Sequence, residues 1–203
     1  MACTFELEKK VGASKYFRVA GIDEVGRGSL AGPIIACAAI LSEDLSIPGI
    51  DDSKKLRPAK RKQLYKLITE SSEIVWAIAL QDNQAVDRLN VSRATYKAMY
   101  HAVTALQILP EYALIDGSSP VPKFPVPHTS IIRGDQLSLS IAVASIIAKV
   151  ARDHLMITAD TQYPLYGFCR HKGYGTVEHL EKLRKYGPCP LHRLTFSPVR
   201  KFL

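Results

Sequence analysis

The 203-residue chain lacks several features that would assign it to a special class of protein. Its longest apolar stretches, residues 33–41 and 141–148, are far shorter than the roughly 20 residues of a membrane-spanning helix. Residues 1–10 contain acids and no apolar segment, so no secretory signal is expected. The four cysteines form no CxxC pair and have no histidine at zinc spacing. We therefore expect a cytoplasmic protein without a disulfide framework or a membrane anchor.

The composition is that of an ordinary globular protein, with 47% hydrophobic and 23% charged residues. The net charge of +8 is distributed unevenly, because residues 161–203 hold eight lysines and arginines against two glutamates. Such a basic region can bind a polyanion such as nucleic acid. A solvated basic surface would have the same composition, so charge alone leaves both interpretations open.

The hydrophobic pattern predicts an α/β fold built on a sheet. Five apolar segments have the length and composition of strands: 17–23, 33–41, 74–80, 111–116 and 128–132. Helices are expected at 58–68, 84–109 with a break near 90–92, 136–159 and 177–186. We divide the chain into a polar leader at 1–16, an αβ core at 17–160 and a basic C-terminal helical appendage at 161–203 that packs on the core.

Acidic residues occur where three of these strands end. They are Asp23 and Glu24, Asp116, and Asp135. Carboxylates gathered at one edge of a sheet repel each other unless cations lie among them, and an all-oxygen ligand set favours Mg²⁺ or Mn²⁺. Two such ions about 4 Å apart can activate water and stabilise the leaving oxygen of a phosphodiester. Taken singly, each acid is better interpreted as capping a turn. Recurrence at three strand ends, together with the basic C-terminal region, favours metal-dependent phosphoryl chemistry for the set.

A Gly-rich turn, Gly26-Arg27-Gly28, follows the first acidic pair. Phosphate-binding glycines of dinucleotide sites open a helix, whereas the segment after this turn begins at Pro33 and has the pattern of a strand. Lys54 and Lys55 precede a predicted helix and are either surface lysines or phosphate contacts. Tyr174 lies between two glycines and is either a packing residue or a ring available to a ligand.

Seven blocks of the sequence, in order from about residue 17 to 200, resemble bacterial ribonuclease HII. They are GIDEVGRG with AGP at 21–33, DSKKL at 52–56, IDG at 115–117, GD at 134–135, ASIIAKVARD at 144–153, KGYGT at 172–176 and HR at 192–193. The related ribonuclease HIII usually has an extra N-terminal domain. Only sixteen residues precede the first predicted strand here, and this disfavours ribonuclease HIII.

The resemblance implies a ribonuclease H-like mixed five-stranded sheet flanked by helices. It also implies that Asp23, Glu24, Asp116 and Asp135 hold two divalent ions. The Gly-rich turn would detect the 2′-hydroxyl of a ribonucleotide, which distinguishes RNA from DNA, and Tyr174 would stack on the neighbouring deoxyribose. Two departures concern local stability: Arg57 precedes Pro58 in place of a small capping residue, and residues 137–140 are unusually apolar.

The expected activity is endonucleolytic. The resemblance implies an enzyme that hydrolyses the RNA strand of RNA–DNA hybrids and incises DNA duplexes 5′ to an embedded ribonucleotide, leaving a 3′-hydroxyl and a 5′-phosphate. We also expect it to act as a monomer. Such an enzyme supports the removal of ribonucleotides from DNA. Two alternatives stay open: another ribonuclease H-like nuclease that cuts DNA without a 2′-hydroxyl, and a catalytically silent nucleic-acid-binding protein.

Overall fold

A mixed five-stranded sheet lies at the centre of the protein, as the sequence predicted. The computed structural model describes residues 3–14, 18–42, 45, 47–50 and 57–203. The strands are β1 Val19–Val25, β2 Ile34–Leu41, β3 Ile74–Gln81, β4 Tyr112–Asp116 and β5 His128–Ile131. Their order is β3-β2-β1-β4-β5; β2 is antiparallel to β1 and β3, and β4 is parallel to β1 and β5.

Helices cover both faces of this sheet. They are α1 Glu6–Ser14, α2 Pro58–Glu70, α3 Asn83–Leu89, α4 Val91–Thr104, α5 Leu139–Gln162, α6 Phe168–His171, α7 Val177–Tyr186 and α8 Ser197–Arg200, with a short 3-10 helix at Gly134–Gln136. Within the described ranges, none of these helices combines the length and the apolar character needed to cross a membrane.

The alternation of side chains along the strands creates two apolar layers. Ala20 and Ile22 of β1 pack toward α4, whereas Cys37 of β2 packs toward α5 and α2. Cys37 is completely buried, as expected for a small apolar residue. Each large aliphatic side chain buried in these layers contributes about 1.5–3 kcal/mol to folding. The sheet therefore gives the acids at its edge a rigid base.

Several elements begin or end at residues other than those predicted. Strand β1 continues to Val25 rather than ending at Asp23, so that Asp23 and Glu24 lie within the strand. The predicted break near 90–92 is Asn90, whose φ of 67° interrupts the helix and whose side chain accepts a hydrogen bond from the N–H of Arg93. Helix α4 then ends at Thr104, five residues before the predicted 109.

Helix α5 begins at Leu139, three residues later than predicted, because Ser138 caps it and the 3-10 helix precedes it. Residues 139–148 are buried on every side of the helix, since α5 is packed between the sheet, α2 and α6.

The segment expected to be a polar leader contains α1. Glu8 of this helix is buried and accepts hydrogen bonds from Ser138 Oγ, Ser140 N and Ser140 Oγ, at 2.5, 2.9 and 2.6 Å. The small polar residues at 138 and 140 therefore have a defined partner. Cys3 adds a hydrogen bond from Sγ to the carbonyl oxygen of Asp135, at 3.1 Å.

The C-terminal region packs against the loop that connects β1 to β2. Helix α7 spans Val177–Tyr186 as predicted, and the Thr176 hydroxyl caps it by accepting from His179 N at 3.2 Å. Leu30 packs with Leu183 and Val199, and Ala31 packs with Phe168. The division of the chain into leader, core and appendage stays a prediction, although this packing joins the C-terminal region closely to the αβ core.

Candidate active site

Asp23 and Glu24 are adjacent on β1 and therefore point to opposite faces of the sheet. Asp23 is buried beneath α5, where Ser145 hydrogen bonds to it, and its Oδ1 also accepts from the N–H of Glu24 at 2.7 Å. Glu24 lies on the α4 side, and its Oε1 is 3.2 Å from Nη1 of Arg27. The other oxygen of Glu24, Oε2, is buried and has no hydrogen-bond partner.

Asp116 joins this pair because β4 lies parallel to β1. Ile115 pairs with Ile22, so Asp116 follows at the same edge of the sheet as Asp23. A cavity of about 80 Å³ is lined by both Glu24 and Asp116. Asp116 Oδ1 also accepts from the N–H of Gly134 at 2.7 Å, which fixes the loop that contains Asp135. Asp135 itself is buried in the 3-10 helix beside this contact.

The pKa shifts of Asp23 and Glu24 indicate more negative charge at this site than the surrounding protein compensates. Burial, then the charges of Glu24 and Asp116, hold the pKa of Asp23 well above its usual value. Burial raises the pKa of Glu24 as well; Arg27 opposes this shift and Asp116 adds to it. An additional cation near these oxygens would offset both effects.

The donor set suits a hard divalent ion, because every candidate ligand is a carboxylate and one buried oxygen, Oε2 of Glu24, lacks a partner. In the described part of the chain, no group of three or more histidine, cysteine or acidic side chains is arranged to hold a metal ion as it stands. Glu24 is paired with Arg27 instead. The residues fit a divalent cation in chemistry and charge.

The Gly-rich turn follows β1 directly. Gly26 has a φ of +95°, and a Cβ at this position would lie 2.6 Å from the carbonyl oxygen of Pro33, so only glycine fits. A Cβ on Gly28 would meet no heavy atom within 4 Å. The protein itself does not require glycine at 28, which leaves the open side of the turn accessible to a ligand.

Tyr174 lies in the loop between α6 and α7 with its ring half-buried. Arg152 Cζ lies 5.3 Å and Lys149 Nζ 5.9 Å from the ring centroid, a cation–π arrangement with both cations. The main chain is held as well, because the carbonyl oxygen of Tyr174 accepts from Thr176 N at 2.8 Å. The ring is therefore fixed by charged neighbours rather than by an apolar core.

Two completely buried arginines near the turn were not singled out from the sequence as functional. Arg152 donates to the carbonyl oxygens of Pro33 and Lys172, both at 2.9 Å, and to the Ser29 hydroxyl at 2.7 Å. Arg193 donates to the carbonyl oxygens of Arg27 and Gly32. Their blocks, ASIIAKVARD and HR, belonged to the observed resemblance, but no local pattern reveals that an arginine is buried.

The remaining predicted site residues cannot be placed in the same way. Lys54 and Lys55 lie outside the described residues. The structure brings together Asp23, Glu24 and Asp116, with Asp135 in the neighbouring loop, and sets the Gly-rich turn beside them.

A family model described as Ribonuclease HII matches residues 20–199 of the chain. The chain belongs to the ribonuclease HII family. The ribonuclease HII of Geotalea uraniireducens is 48% identical over 198 residues, covering 98% of this chain and 91% of that protein. As a member of the ribonuclease HII family, the protein is a ribonuclease H endoribonuclease that acts on RNA–DNA hybrids.

Solved structures of ribonucleases H share the fold. The ribonuclease H2 of Pyrococcus horikoshii superposes with a TM-score of 0.79 at 25% identity, over 92% of this chain and 97% of that chain. Bst-RNase HIII in complex with Mn²⁺ has a TM-score of 0.66 at 21% identity, over 91% of this chain and 68% of that one. The ribonuclease H-like fold expected of a ribonuclease HII is therefore confirmed.

Proposed function

We propose that this ribonuclease HII cleaves by two-metal-ion catalysis, both within RNA–DNA hybrids and on the 5′ side of single ribonucleotides in duplex DNA. The products are a 3′-hydroxyl and a 5′-phosphate, as needed for the removal of ribonucleotides from DNA. The observation that carries this proposal is the convergence of Asp23, Glu24 and Asp116 beside the Gly-rich turn, with Oε2 of Glu24 buried and unpartnered.

In this proposal, Asp23, Glu24, Asp116 and Asp135 hold two Mg²⁺ or Mn²⁺ ions. When bound, the ions supply an activated water and stabilise the leaving oxygen of the phosphodiester. Asp23, Glu24 and Asp116 would hold the ions from the rigid support of β1 and β4, and Asp135 would add a carboxylate from the adjoining 3-10 helix. The solved Bst-RNase HIII complex with Mn²⁺ supports a divalent ion for a protein of this fold.

Selectivity for ribonucleotides is assigned to the Gly-rich turn and Tyr174. The open side of Gly28 lets the main chain approach a sugar closely enough to hydrogen bond a 2′-hydroxyl. The ring of Tyr174 can lie against the next sugar, where a deoxyribose presents a less crowded face. Lys54 and Lys55 are proposed to contact phosphates.

The monomeric state and the cytoplasmic location are also proposals. All four cysteines are described and free of disulfides, which supports a reducing compartment.

The test is a cleavage assay with Mg²⁺ on three duplexes of one sequence: all DNA, DNA with one ribonucleotide, and a continuous RNA–DNA hybrid. We expect cleavage of the second and third, with the 5′ side of the ribonucleotide as the cut position. Cleavage of the all-DNA duplex would instead support a nuclease that ignores the 2′-hydroxyl. Binding without cleavage of any duplex would support a silent nucleic-acid-binding protein.

A further inference from the structure

Three buried histidines lie behind the loop that contains Tyr174. The rings of His171 and His179 stack with centroids 4.4 Å apart, and Nε2 of His179 is 3.0 Å from Nε2 of His192. Within the described ranges no such group is arranged to hold a metal ion. The cluster is therefore not explained as a metal site, and its hydrogen bonds point elsewhere.

The hydrogen bonds fix one tautomer for each of two rings, those of His179 and His192. His179 Nδ1 is 2.9 Å from the carbonyl oxygen of Tyr174, which can only accept, so Nδ1 carries the proton. Nε2 of His179 must then accept from Nε2 of His192. This leaves Nδ1 of His192 to accept from the N–H of Cys189 at 2.9 Å. A directed chain of hydrogen bonds thus runs from residue 189 to the main chain of Tyr174.

The residue after His192 makes the corresponding contacts with the Gly-rich turn. Arg193 Nη1 donates to the carbonyl oxygen of Arg27 at 2.9 Å, while Nε and Nη2 donate to Gly32 at 3.1 and 2.8 Å. Its N–H also donates to the carbonyl oxygen of Leu30 at 2.9 Å. Residues 192 and 193 therefore connect both ligand-facing elements through one short segment.

We propose that His179, His192 and Arg193 are positioning residues that hold Tyr174 at a fixed distance from the Gly-rich turn. The inference rests on the proposed function, because it requires those two elements to contact neighbouring sugars of the substrate. Groups that act on adjacent nucleotides must keep their spacing, and a displacement of about 1 Å is enough to reduce turnover strongly. The C-terminal region then contributes geometry to substrate selection as well as positive charge.

Aromatic packing alone does not account for the histidines. Phe168 and Tyr166 pack against the three histidines, so aromatic rings fit well in this part of the protein. If packing were the only role of the histidines, apolar side chains could take their place without any hydrogen bond. The N–H of Thr176 already donates to the carbonyl oxygen of Tyr174, and a donor at the Nδ1 position of residue 179 adds a second hydrogen bond that fixes the direction of this carbonyl group. The two roles therefore predict different results for substitutions at residue 179. If the role is positioning, activity depends on whether the new side chain has an N–H at the Nδ1 position; if the role is packing, it does not.

The test compares two amide variants. His179→Asn places an N–H where Nδ1 stands and keeps the bond to Tyr174, whereas the longer His179→Gln places its amide near the Nε2 position and loses that bond. The readout is the ratio of kcat/KM on a duplex with one ribonucleotide to kcat/KM on a continuous hybrid. We expect His179→Gln to lower this ratio about two- to tenfold, the range of one hydrogen bond, and His179→Asn to keep it. His101→Gln, on the exposed face of α4, is the control and should leave it unchanged.

Coupling to Tyr174 separates this inference from the proposed function. If His179 acts through Tyr174, adding His179→Gln to Tyr174→Ala causes no further loss in the ratio. Should Tyr174→Ala itself leave the ratio unchanged, both Tyr174 as a selectivity element and this inference are wrong. Should Tyr174→Ala lower the ratio while folded His179→Gln does not, only the positioning role is wrong. If His179→Gln fails to fold by circular dichroism, His179→Leu replaces it, since it fills the space without a donor to Tyr174, and the same outcomes decide.

Discussion

Buried ionisable side chains near the Gly-rich turn are stabilised in two different ways. Arg152 and Arg193 donate to several main-chain carbonyl oxygens; burial and the neighbouring Arg152 lower the pKa of Arg193 to about 9. Asp23 and Glu24 have fewer donors, and burial raises the pKa of both. The cations are satisfied within the protein, whereas the carboxylates retain a charge that a divalent ion would offset.

Asp116→Asn should separate stability from activity. The amide oxygen can still accept from Gly134 N, so the loop keeps its hydrogen bond, while one negative charge leaves the site. We expect the metal-free protein to become more stable, by on the order of 1 kcal/mol in urea unfolding, and cleavage to fall by orders of magnitude. Mg²⁺ should raise the Tm of the wild type more than that of the variant. Glu73→Gln, an exposed change of the same charge, is the control; near-normal cleavage by Asp116→Asn would remove Asp116 from the site.

Alanine substitutions at the two glycines of the turn should affect different properties. The change at Gly26 should lower stability, and the change at Gly28 should lower activity. Gly26→Ala is expected to destabilise the protein by about 1–3 kcal/mol, because φ is +95° and the methyl group meets Pro33 O. Gly28→Ala has free space and should change stability by less than about 0.5 kcal/mol. Its activity on a single ribonucleotide should nevertheless fall about tenfold, since the methyl group blocks the approach of the sugar. A fully active Gly28→Ala would show that the substrate does not approach this side of the turn.

Among the helices and strands, the sequence predicted those boundaries that depend on interactions between residues close together in the chain. Pro58 begins α2 and Thr176 caps α7 because both effects depend on neighbouring residues only. Helix α1 gave no such signal: nine residues are too few to be stable alone, and Glu8 has its partners 130 and 132 positions away. The end of β1 was missed for a similar reason, since pairing with β2 extends it to Val25.

The candidate site shows the same limit. The acids could be predicted as a group because each follows an apolar run, although Asp23 and Glu24 lie within β1 rather than at its end. The role of Arg152 and Arg193 could not, because arginine is usually exposed and their carbonyl partners lie 119 and 166 residues away in the chain. The contacts that connect distant segments come from tertiary packing, which no short motif encodes.

Glu8 provides a test of how far α1 contributes to the site. Glu8→Ala would leave the donors of Ser138 and Ser140 buried without an acceptor, at a cost of about 1–3 kcal/mol in the free energy of unfolding. Because Ser138 caps α5 directly after the loop of Asp135, cleavage should also decrease in the folded protein. Glu6→Ala, on the exposed side of the same helix, should change neither quantity. An unchanged urea midpoint for Glu8→Ala would show that α1 does not support α5.

For the whole molecule, the basic C-terminal region is an integral part of the structure. Arg193 is completely buried and Arg170 pairs with Glu178, so only part of the positive charge counted in the sequence is available to a polyanion. Removal of residues after 160 would also take away the partners of Leu30 and Gly32. Such a truncation would remove structural contacts together with positive charge, so it cannot isolate the effect of charge on nucleic-acid binding. The structural contribution of this region is better tested by substituting single buried side chains.

The paired histidines predict how the stability of the whole fold depends on pH. Burial lowers the pKa of both His179 and His192 to about 4, whereas an unfolded histidine titrates near 6.5. Between these values the unfolded chain takes up protons that the folded protein excludes. Their contribution to stability is therefore complete above about pH 6.5 and is lost as the pH falls toward 4, at roughly 1 kcal/mol per pH unit for each ring.

Urea unfolding of the wild type and of His179→Asn, measured from pH 4 to 7 without divalent ions, isolates this contribution. The raised pKa values of Asp23 and Glu24 act in the opposite direction, because folding then favours the protonated carboxyl, but they are common to both proteins and cancel in the difference. The other titratable groups near the ring, His171, His192 and Glu178 among them, are retained in the variant; the pKa of His192 should rise somewhat, because His179 contributes to its lowering, which adds to the same change in slope. We expect the stability of His179→Asn to fall less steeply with acid, by about one proton's worth of slope. Parallel profiles would mean that His179 titrates alike in the folded and unfolded chains, and the hydrogen-bonded pair would not be kept neutral by the fold.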